Sequence, residues 1–454
     1  MAYKSINPYT GKLNRTYDQV SDEELDNILF SASRAYMKWR KERIEERQDL
    51  LLALADLLEI EKDFHAASIT SEMGKPISQS VAEIEKSAMA CRYYAERADE
   101  FLKPGKHASS GGESIIRYDP QGLVFAIMPW NFPYWQVIRC MAPALAAGNG
   151  VLLKHASNVP QCAENIENAV AKAGFPPDIF RNLYINHDQV ERVVKSEYVR
   201  SVSLTGSNTA GEKVASIAGR HIKKIVLELG GNDAFIVFSD ADLEKAAEAL
   251  VYGRFLNTGQ SCIASKRLFV HEQVYPEFIN LITGRIKALR AGKPTSPDTF
   301  IGPMVNKAAV QELERQVSQT LDMGAEIILG GKSGIPREGF FEPSILVNVP
   351  YDSPLATEEV FGPVLPVFSF RDYEELLCRV NDSRFGLGCS VFTADEKLMR
   401  QLAGDIDTGT VVFNSFTKSD PALPFGGVKE SGFGRELSEF GILEFVNIKT
   451  VTVF

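Results

Sequence analysis

From residue 121 onward, short apolar runs alternate with helix-patterned stretches, and that alternation restricts the chain to one class of fold. The runs span 123–128, 150–154, 182–185, 199–205 and 224–229. Runs this short and this continuously apolar read as strands covered on both faces. Strands of that kind separated by helices make a parallel sheet wound with helices, so the expected class is α/β. A second block repeats the pattern, with strands expected at Ala234 to Phe238, Leu268 to Val270 and Gly409 to Phe413 and helical stretches between. The segment before residue 101 is mostly helical in pattern. Ser21 and Glu24 are spaced as a capping box, and Leu25, Ile28, Leu29, Ala32, Tyr36 and Trp39 recur at helical spacing. That stripe is an ordinary core face and carries no functional expectation.

At 454 residues the chain is too long for one hydrophobic core and is expected to divide into two large domains and a smaller element. With 44% hydrophobic and 24% charged residues it has the balance of a globular protein. A net charge of −10 argues against nucleic acid or an anionic membrane as partner. The opening Met1-Ala2-Tyr3-Lys4-Ser5-Ile6-Asn7-Pro8 lacks the apolar core of a signal peptide, and no run reaches the roughly 18 apolar residues of a membrane span. The cytosol is therefore the expected compartment. Cys91, Cys140, Cys162, Cys262, Cys378 and Cys389 show no CxxC spacing, so neither a metal site nor a disulfide framework is expected.

Among these thiols Cys262 stands apart because of its neighbours. It ends Asn257-Thr258-Gly259-Gln260-Ser261-Cys262, a small polar stretch open to close approach, whereas a core cysteine normally sits among apolar residues. A cysteine reacts as its thiolate, so with an ordinary pKa of about 8.5 it needs nearby donors or positive charge to act near neutrality. Pro129-Trp130-Asn131-Phe132-Pro133 follows the apolar run ending at Met128, so Asn131 emerges at a strand end, where open α/β sheets hold their ligands. Its carboxamide is a neutral donor suited to an oxyanion, but an Asn before a proline also serves as a turn or helix cap. Glu228, in Leu227-Glu228-Leu229-Gly230-Gly231, is the candidate base.

Val151-Leu152-Leu153-Lys154, Ser203-Leu204-Thr205-Gly206-Ser207 and Glu358-Glu359-Val360-Phe361-Gly362-Pro363 join these segments. Pro424-Phe425-Gly426-Gly427-Val428-Lys429 and Ser431-Gly432-Phe433-Gly434-Arg435-Glu436 follow near the end. In this order and at these intervals the chain resembles the NAD(P)-dependent aldehyde dehydrogenase superfamily over essentially its whole length. The resemblance implies two Rossmann-like α/β domains plus a small β oligomerisation arm. Residues 1–101 and 121–229 would bind the cofactor, 230–437 would carry catalysis, and 102–120 with 438–454 would form the arm of a homodimer or homotetramer. It further implies that Cys262 attacks an aldehyde, that Asn131 and the Cys262 amide hold the oxyanion, and that Glu228 activates the water that hydrolyses the resulting thioester. A non-catalytic dinucleotide-binding protein on the same fold is the alternative, and the intact Asn131, Glu228 and Cys262 speak against it.

Gly206-Ser207-Asn208-Thr209-Ala210-Gly211 begins like a phosphate-transfer loop, yet Glu212-Lys213-Val214 follows where Lys and Ser or Thr are required. A strand ending at Thr205 and turning into a helix still aims backbone amides at a diphosphate. The resemblance assigns Gly206 and Ser207 to that dinucleotide, Glu359 to the nicotinamide ribose, Phe361 to the ring, and Trp130 and Lys154 to the same site. Many NAD-using relatives carry Glu three residues after this Lys, where its carboxylate binds the adenine ribose hydroxyls. Here the residue is Ser157. Two unit charges about 4 Å apart repel by roughly 4 kcal/mol at an effective dielectric near 20, so the missing Glu removes a barrier to a 2′-phosphate. NADP is the expected cofactor, with NAD as the alternative.

The expected substrate is a small aldehyde bearing a carboxylate. If Pro133 opens a helix, Asn131, Trp135 and Arg139 fall within an arc of about 80°. A guanidinium beside the oxyanion site suits an aldehyde with a carboxylate at its far end. The Arg139 position and Lys154-His155-Ala156-Ser157-Asn158 both resemble the succinate-semialdehyde dehydrogenases within the superfamily. Two departures stand out. The position six residues before the nucleophile, where mammalian-type enzymes carry a second Arg, is Leu256, so a two-Arg clamp is not expected, and Ser419 is a candidate compensating hydroxyl. Ala264 stands where redox-regulated members carry a second Cys, so no local disulfide switch is expected. The competing reading is a broad aliphatic or aromatic aldehyde dehydrogenase with Arg139 turned away.

Overall fold

In the computed structural model, which describes residues 3–109 and 112–453, each α/β block forms its own sheet. The first has six strands in the order Gly432–Phe433, Lys224–Glu228, Val199–Thr205, Leu123–Met128, Gly150–His155 and Phe180–Asn182. All pair in parallel except Gly432–Phe433, which returns from the far end of the chain to run antiparallel to Lys224–Glu228. The earliest strand of this sheet, Leu123–Met128, lies in the interior, with the next element on one side and a later one on the other. The winding therefore reverses there, and a crevice opens beyond the strand ends. Pro129 to Asn131 and Gly206 to Ser207 leave the sheet side by side at that point.

The second sheet has seven strands, ordered Glu326–Leu329, Ser344–Val347, Val364–Phe370, Arg267–His271, Ala234–Val237, Gly388–Phe392 and Thr410–Phe413. It is parallel apart from the outermost Glu326–Leu329. Alternation along one strand divides its two cores: Ala234 and Ile236 join Phe269 and Val391 on one face, while Phe235 and Val237 join Leu268 and Phe392 on the other. The α/β class read from the alternating runs is thus the one observed.

Two local expectations are corrected. The strand expected at 182–185 is Phe180–Asn182, paired Val151↔Phe180 and Leu153↔Asn182. Leu183 still donates its amide to the Leu153 carbonyl at 2.7 Å, and Leu183 and Ile185 are apolar because the chain beyond the strand is buried. The strands Ser344–Val347, Val364–Phe370 and Gly388–Phe392 were not expected. Pro366 argues against an interior strand, yet it sits opposite Leu346 in the middle of the sheet.

Helices from the first part of the chain cover the first sheet. Ser21 and Glu24 do form a capping box on Asp22–Trp39, whose Leu25, Leu29, Ala32, Tyr36 and Trp39 are buried. The 25-residue helix Ile77–Phe101 packs against Ile44–Ile60 and Trp135–Ala146, and one edge of it faces the site described below. A separate antiparallel sheet joins Gly105–Ser109, Gly112–Pro120 and Val446–Val453. Among the described residues no helix is long and apolar enough to cross a membrane.

Candidate active site

Cys262 closes a turn with an unusual backbone. Asn257 and Thr258 have φ of 55° and 56°, and Gly259 follows at 72°. That region is strained for a β-branched residue such as Thr258. A Cβ at Gly259 would collide with the Gly362 carbonyl, so only glycine passes there. Side chains hold the turn in place. Thr258 Oγ1 donates to the Gly302 carbonyl at 3.3 Å and accepts the Gly302 amide at 3.0 Å. Asn257 Nδ2 donates to the carbonyls of Asn131 at 2.8 Å and Gln260 at 3.1 Å. In return Asn131 Nδ2 donates to the Gln260 carbonyl at 3.0 Å, while its Oδ1 accepts Gln136 Nε2 at 3.1 Å. The Asn131 loop and the Cys262 turn are therefore one stitched unit. A carboxamide has two N–H donors, and one of Asn131's remains for a ligand.

The half-buried Cys262 borders two openings. Trp130, Asn131, Gly206, Ser207, Glu359 and Phe361 line a cleft at the reversal of the first sheet, and Phe132, Trp135, Arg139, Phe416, Ser419 and Phe425 line a pocket on the other side. In the cleft, Ser207 caps the Asn208–Arg220 helix by accepting the Ala210 amide at 3.3 Å, so Gly206 and Ser207 stand at a helix N-terminus. The Trp130 and Phe361 rings meet edge to face at 5.7 Å. Glu359 accepts the Gly231 amide at 3.0 Å and lies 3.5 Å from Lys266. Lys154, at the end of Gly150–His155, is buried without an ion-pair partner among the described residues, and burial lowers its pKa. Ser157 lies exposed just beyond it. A helix N-terminus and an uncompensated buried ammonium at one sheet end fit the phosphates and hydroxyls of a dinucleotide.

Behind the sulfur lies a buried charge cluster. Glu228 ends its strand with neither carboxylate oxygen hydrogen-bonded among the described residues, and burial drives its carboxyl well above the usual range while Arg139 pulls it back. It lines neither opening, yet its charge reaches Cys262. Burial pushes the Cys262 thiol up to about 12, against the opposing pull of Lys266 and Arg139. Burial thus favours the neutral thiol over the reactive thiolate. Arg139 is ion-paired with Glu436, both fully buried. Its Nη2 donates to Thr205 Oγ1 at 3.2 Å, and its guanidinium lies 4.8 Å from the centre of the Phe425 ring.

A sequence profile described as the aldehyde dehydrogenase family matches residues 1–451. The chain belongs to the aldehyde dehydrogenase family. Over the full length of both chains it is 45% identical to a protein of Mycobacterium tuberculosis named succinate-semialdehyde dehydrogenase (NADP(+)) 1. It is 43% identical, again over 100% of both chains, to a probable succinate-semialdehyde dehydrogenase (NADP(+)) of Synechocystis. Its fold is similar to the crystal structure of succinic semialdehyde dehydrogenase from Streptococcus pyogenes in complex with NADP+, with a TM-score of 0.97, 38% identity and 100% of each chain covered. Two openings thus meet at one cysteine in this aldehyde dehydrogenase.

Some residues of this aldehyde dehydrogenase lie where the sequence placed them, and others do not. Asn131, Gly206, Ser207, Glu359 and Phe361 share the cleft, and Trp135, Arg139 and Ser419 share the pocket. The helix expected to open at Pro133 begins instead at Trp135, so Asn131 is outside it and the three-residue face does not form. The reason is Glu83, whose carboxylate accepts the amides of Tyr134 at 2.8 Å and Trp135 at 3.2 Å and caps the helix there. Trp135 and Arg139 still share a face as an i,i+4 pair. Sequence reading missed Glu83, Lys86, Lys266 and Glu436. Glu436 stood inside a quoted motif, while the other three carried no local signal.

Proposed function

We propose that this aldehyde dehydrogenase oxidises succinic semialdehyde to succinate with NADP. The observation that carries the reading is the pocket beside Cys262, whose wall holds more cationic charge than its own carboxylates neutralise. Full-length similarity to proteins named for this activity supports it.

The Cys262 thiol passes its proton to solvent, and the thiolate attacks the aldehyde carbon. The oxygen that becomes negative is held by the free N–H of Asn131 and by the Cys262 amide, and losing one such donor costs about 2.7 to 4 kcal/mol of transition-state stabilisation. Trp130, Gly206, Ser207, Glu359 and Phe361 would hold NADP, which when bound would accept the departing hydride. The acyl group is then a thioester on Cys262, and Glu228 takes a proton from the water that hydrolyses it. Burial makes Glu228 a stronger base than an exposed carboxylate, and Arg139 keeps its ionised form accessible. Lys154 and Ser157 would serve the adenosine ribose and its 2′-phosphate. Arg139, already paired with Glu436, acts on Cys262 and Glu228 through its field.

We assign residues 1–101 and 121–229 to cofactor binding, 230–437 to catalysis, and 102–120 with 438–454 to an oligomerisation arm. The exposed Ile448, Val451 and Val453 on the outer strand support that last assignment. A homodimer or homotetramer acting in the cytosol is the form proposed. The test is kcat/KM for succinic semialdehyde against butanal, its neutral analogue, measured with NADP and with NAD. Equal values for the two aldehydes favour the broad aldehyde reading, and equal values for the two cofactors remove the NADP preference.

A further inference from the structure

We propose that Lys86 binds the distal carboxylate of the substrate, filling the role left open by Leu256; this deepens the succinic semialdehyde reading and rests on it. Four cations line the pocket: Lys75, Lys86, Arg139 and, exposed at its mouth, Lys418. Lys75 is paired with Glu83 and Arg139 with Glu436, both pairs buried. The half-buried Lys86 has no carboxylate within ion-pair distance among the described residues. Its Nζ donates to Ser419 Oγ at 2.8 Å and lies 4.3 Å from the centre of the Trp135 ring.

The acidic groups facing Lys86 are engaged elsewhere. Glu83, on the same helix face, gives one oxygen to the Tyr134 and Trp135 amides and the other to Lys75. Asp420 is exposed and accepts the Ala422 amide at 2.9 Å. Arg139 and Lys418 add positive charge around the same ammonium. A half-buried cation with no carboxylate in ion-pair distance and with cationic neighbours bears a desolvation cost that the more distant Asp420 and Glu83, the Ser419 hydroxyl and the Trp135 ring offset only in part. A carboxylate from the substrate offsets it. Ser419 accepts from Lys86 and still has its own O–H to donate to that carboxylate. The aldehyde end then points to Cys262 in the same pocket.

The test compares wild type, Lys86→Met and Lys86→Arg by the ratio of kcat/KM for succinic semialdehyde to kcat/KM for butanal. Loss of one charge-assisted bond lowers this ratio about ten- to a hundredfold in Lys86→Met, chiefly through KM, and Lys86→Arg recovers most of it. The pH profile is a second readout. Burial and the adjacent Arg139 lower the Lys86 pKa to about 8, so the wild-type ratio falls as pH rises through that value. In Lys86→Met the ratio stays flat. A wild-type preference for succinic semialdehyde that survives Lys86→Met overturns the role of Lys86 and leaves the substrate reading standing. Equal loss of both aldehydes in Lys86→Met without recovery in Lys86→Arg also overturns it, because Lys86 is then structural. A wild type that oxidises both aldehydes equally well overturns both readings.

Discussion

On the side of Cys262 proposed for the cofactor the walls include strand ends and glycine turns, while on the side proposed for the substrate they include the helices Ile77–Phe101 and Trp135–Ala146 and the loop carrying Ser419. Strand ends present backbone groups fixed by the sheet, which suit a ligand common to many enzymes. Helix faces present side chains that change one at a time without disturbing the backbone, which suits discrimination among aldehydes. The same contrast divides the two central pocket cations. Arg139 is a buried pair with Glu436 and belongs to the framework, whereas Lys86 lacks a counter-ion and is available to a ligand.

The largest effect is expected where the two sides meet. Cys262→Ala removes the nucleophile, and turnover should fall by a factor on the order of 10⁴ or more. NADP binding, measured by fluorescence quenching or calorimetry, should be retained because the cleft is built from other residues. Residual dehydrogenase activity of even one per cent would show that the covalent step belongs elsewhere.

Arg139→Ala tests the division between framework and ligand. Removing the guanidinium leaves Glu436 buried with the Ser203 hydroxyl at 3.3 Å but no counter-charge, a loss of about 3 to 5 kcal/mol in stability. The variant should melt at clearly lower temperature, and activity toward succinic semialdehyde and butanal should fall together. A variant that melts like wild type and loses only succinic semialdehyde oxidation would place the guanidinium on the substrate carboxylate, as the sequence alone had suggested.

The pairing of Arg139 with Glu436 shows what the sequence can and cannot carry. The sheet at the cofactor side was legible because apolar runs end in turn chemistry at Asn131, Gly206 and Gly230, and because backbone conformation restricts which residues stand there. The position of Cys262 was legible for the same reason, although the left-handed turn at Asn257 and Thr258 was not. The pocket was only half legible. Arg139 and Ser419 were found, but the pairing of Arg139 depends on Glu436, almost three hundred residues away, which no local spacing reveals. Lys86 lies on a helix whose charged positions look solvated, and only packing against Trp135 and Ser419 distinguishes it. The start of the Trp135–Ala146 helix was misplaced for a related reason: its cap is the carboxylate of Glu83, a tertiary contact rather than a neighbouring residue.

The smallest expected effect lies on the cofactor side, at Ser157→Glu. Ser157 is exposed three residues after the buried Lys154, so a carboxylate there would face a 2′-phosphate through partly aqueous surroundings. Two unit charges about 4 Å apart repel by about 1 kcal/mol in bulk water and by about 4 kcal/mol at a protein-surface dielectric, which brackets the expected penalty on NADP. The lower half of that range, roughly a tenfold shift in relative kcat/KM from NADP toward NAD, is the better match for an exposed position. The shift should shrink at high ionic strength, because solvent-facing charges are screened. An unchanged cofactor ratio would mean that Lys154 and the helix N-terminus alone set the preference. The same variant also sharpens the comparison between the two sides: its succinic semialdehyde to butanal ratio should match wild type, since no residue of the pocket has changed. A substrate ratio that moves with Ser157→Glu would show that the cleft and the pocket communicate through the Asn131–Cys262 unit instead of acting separately.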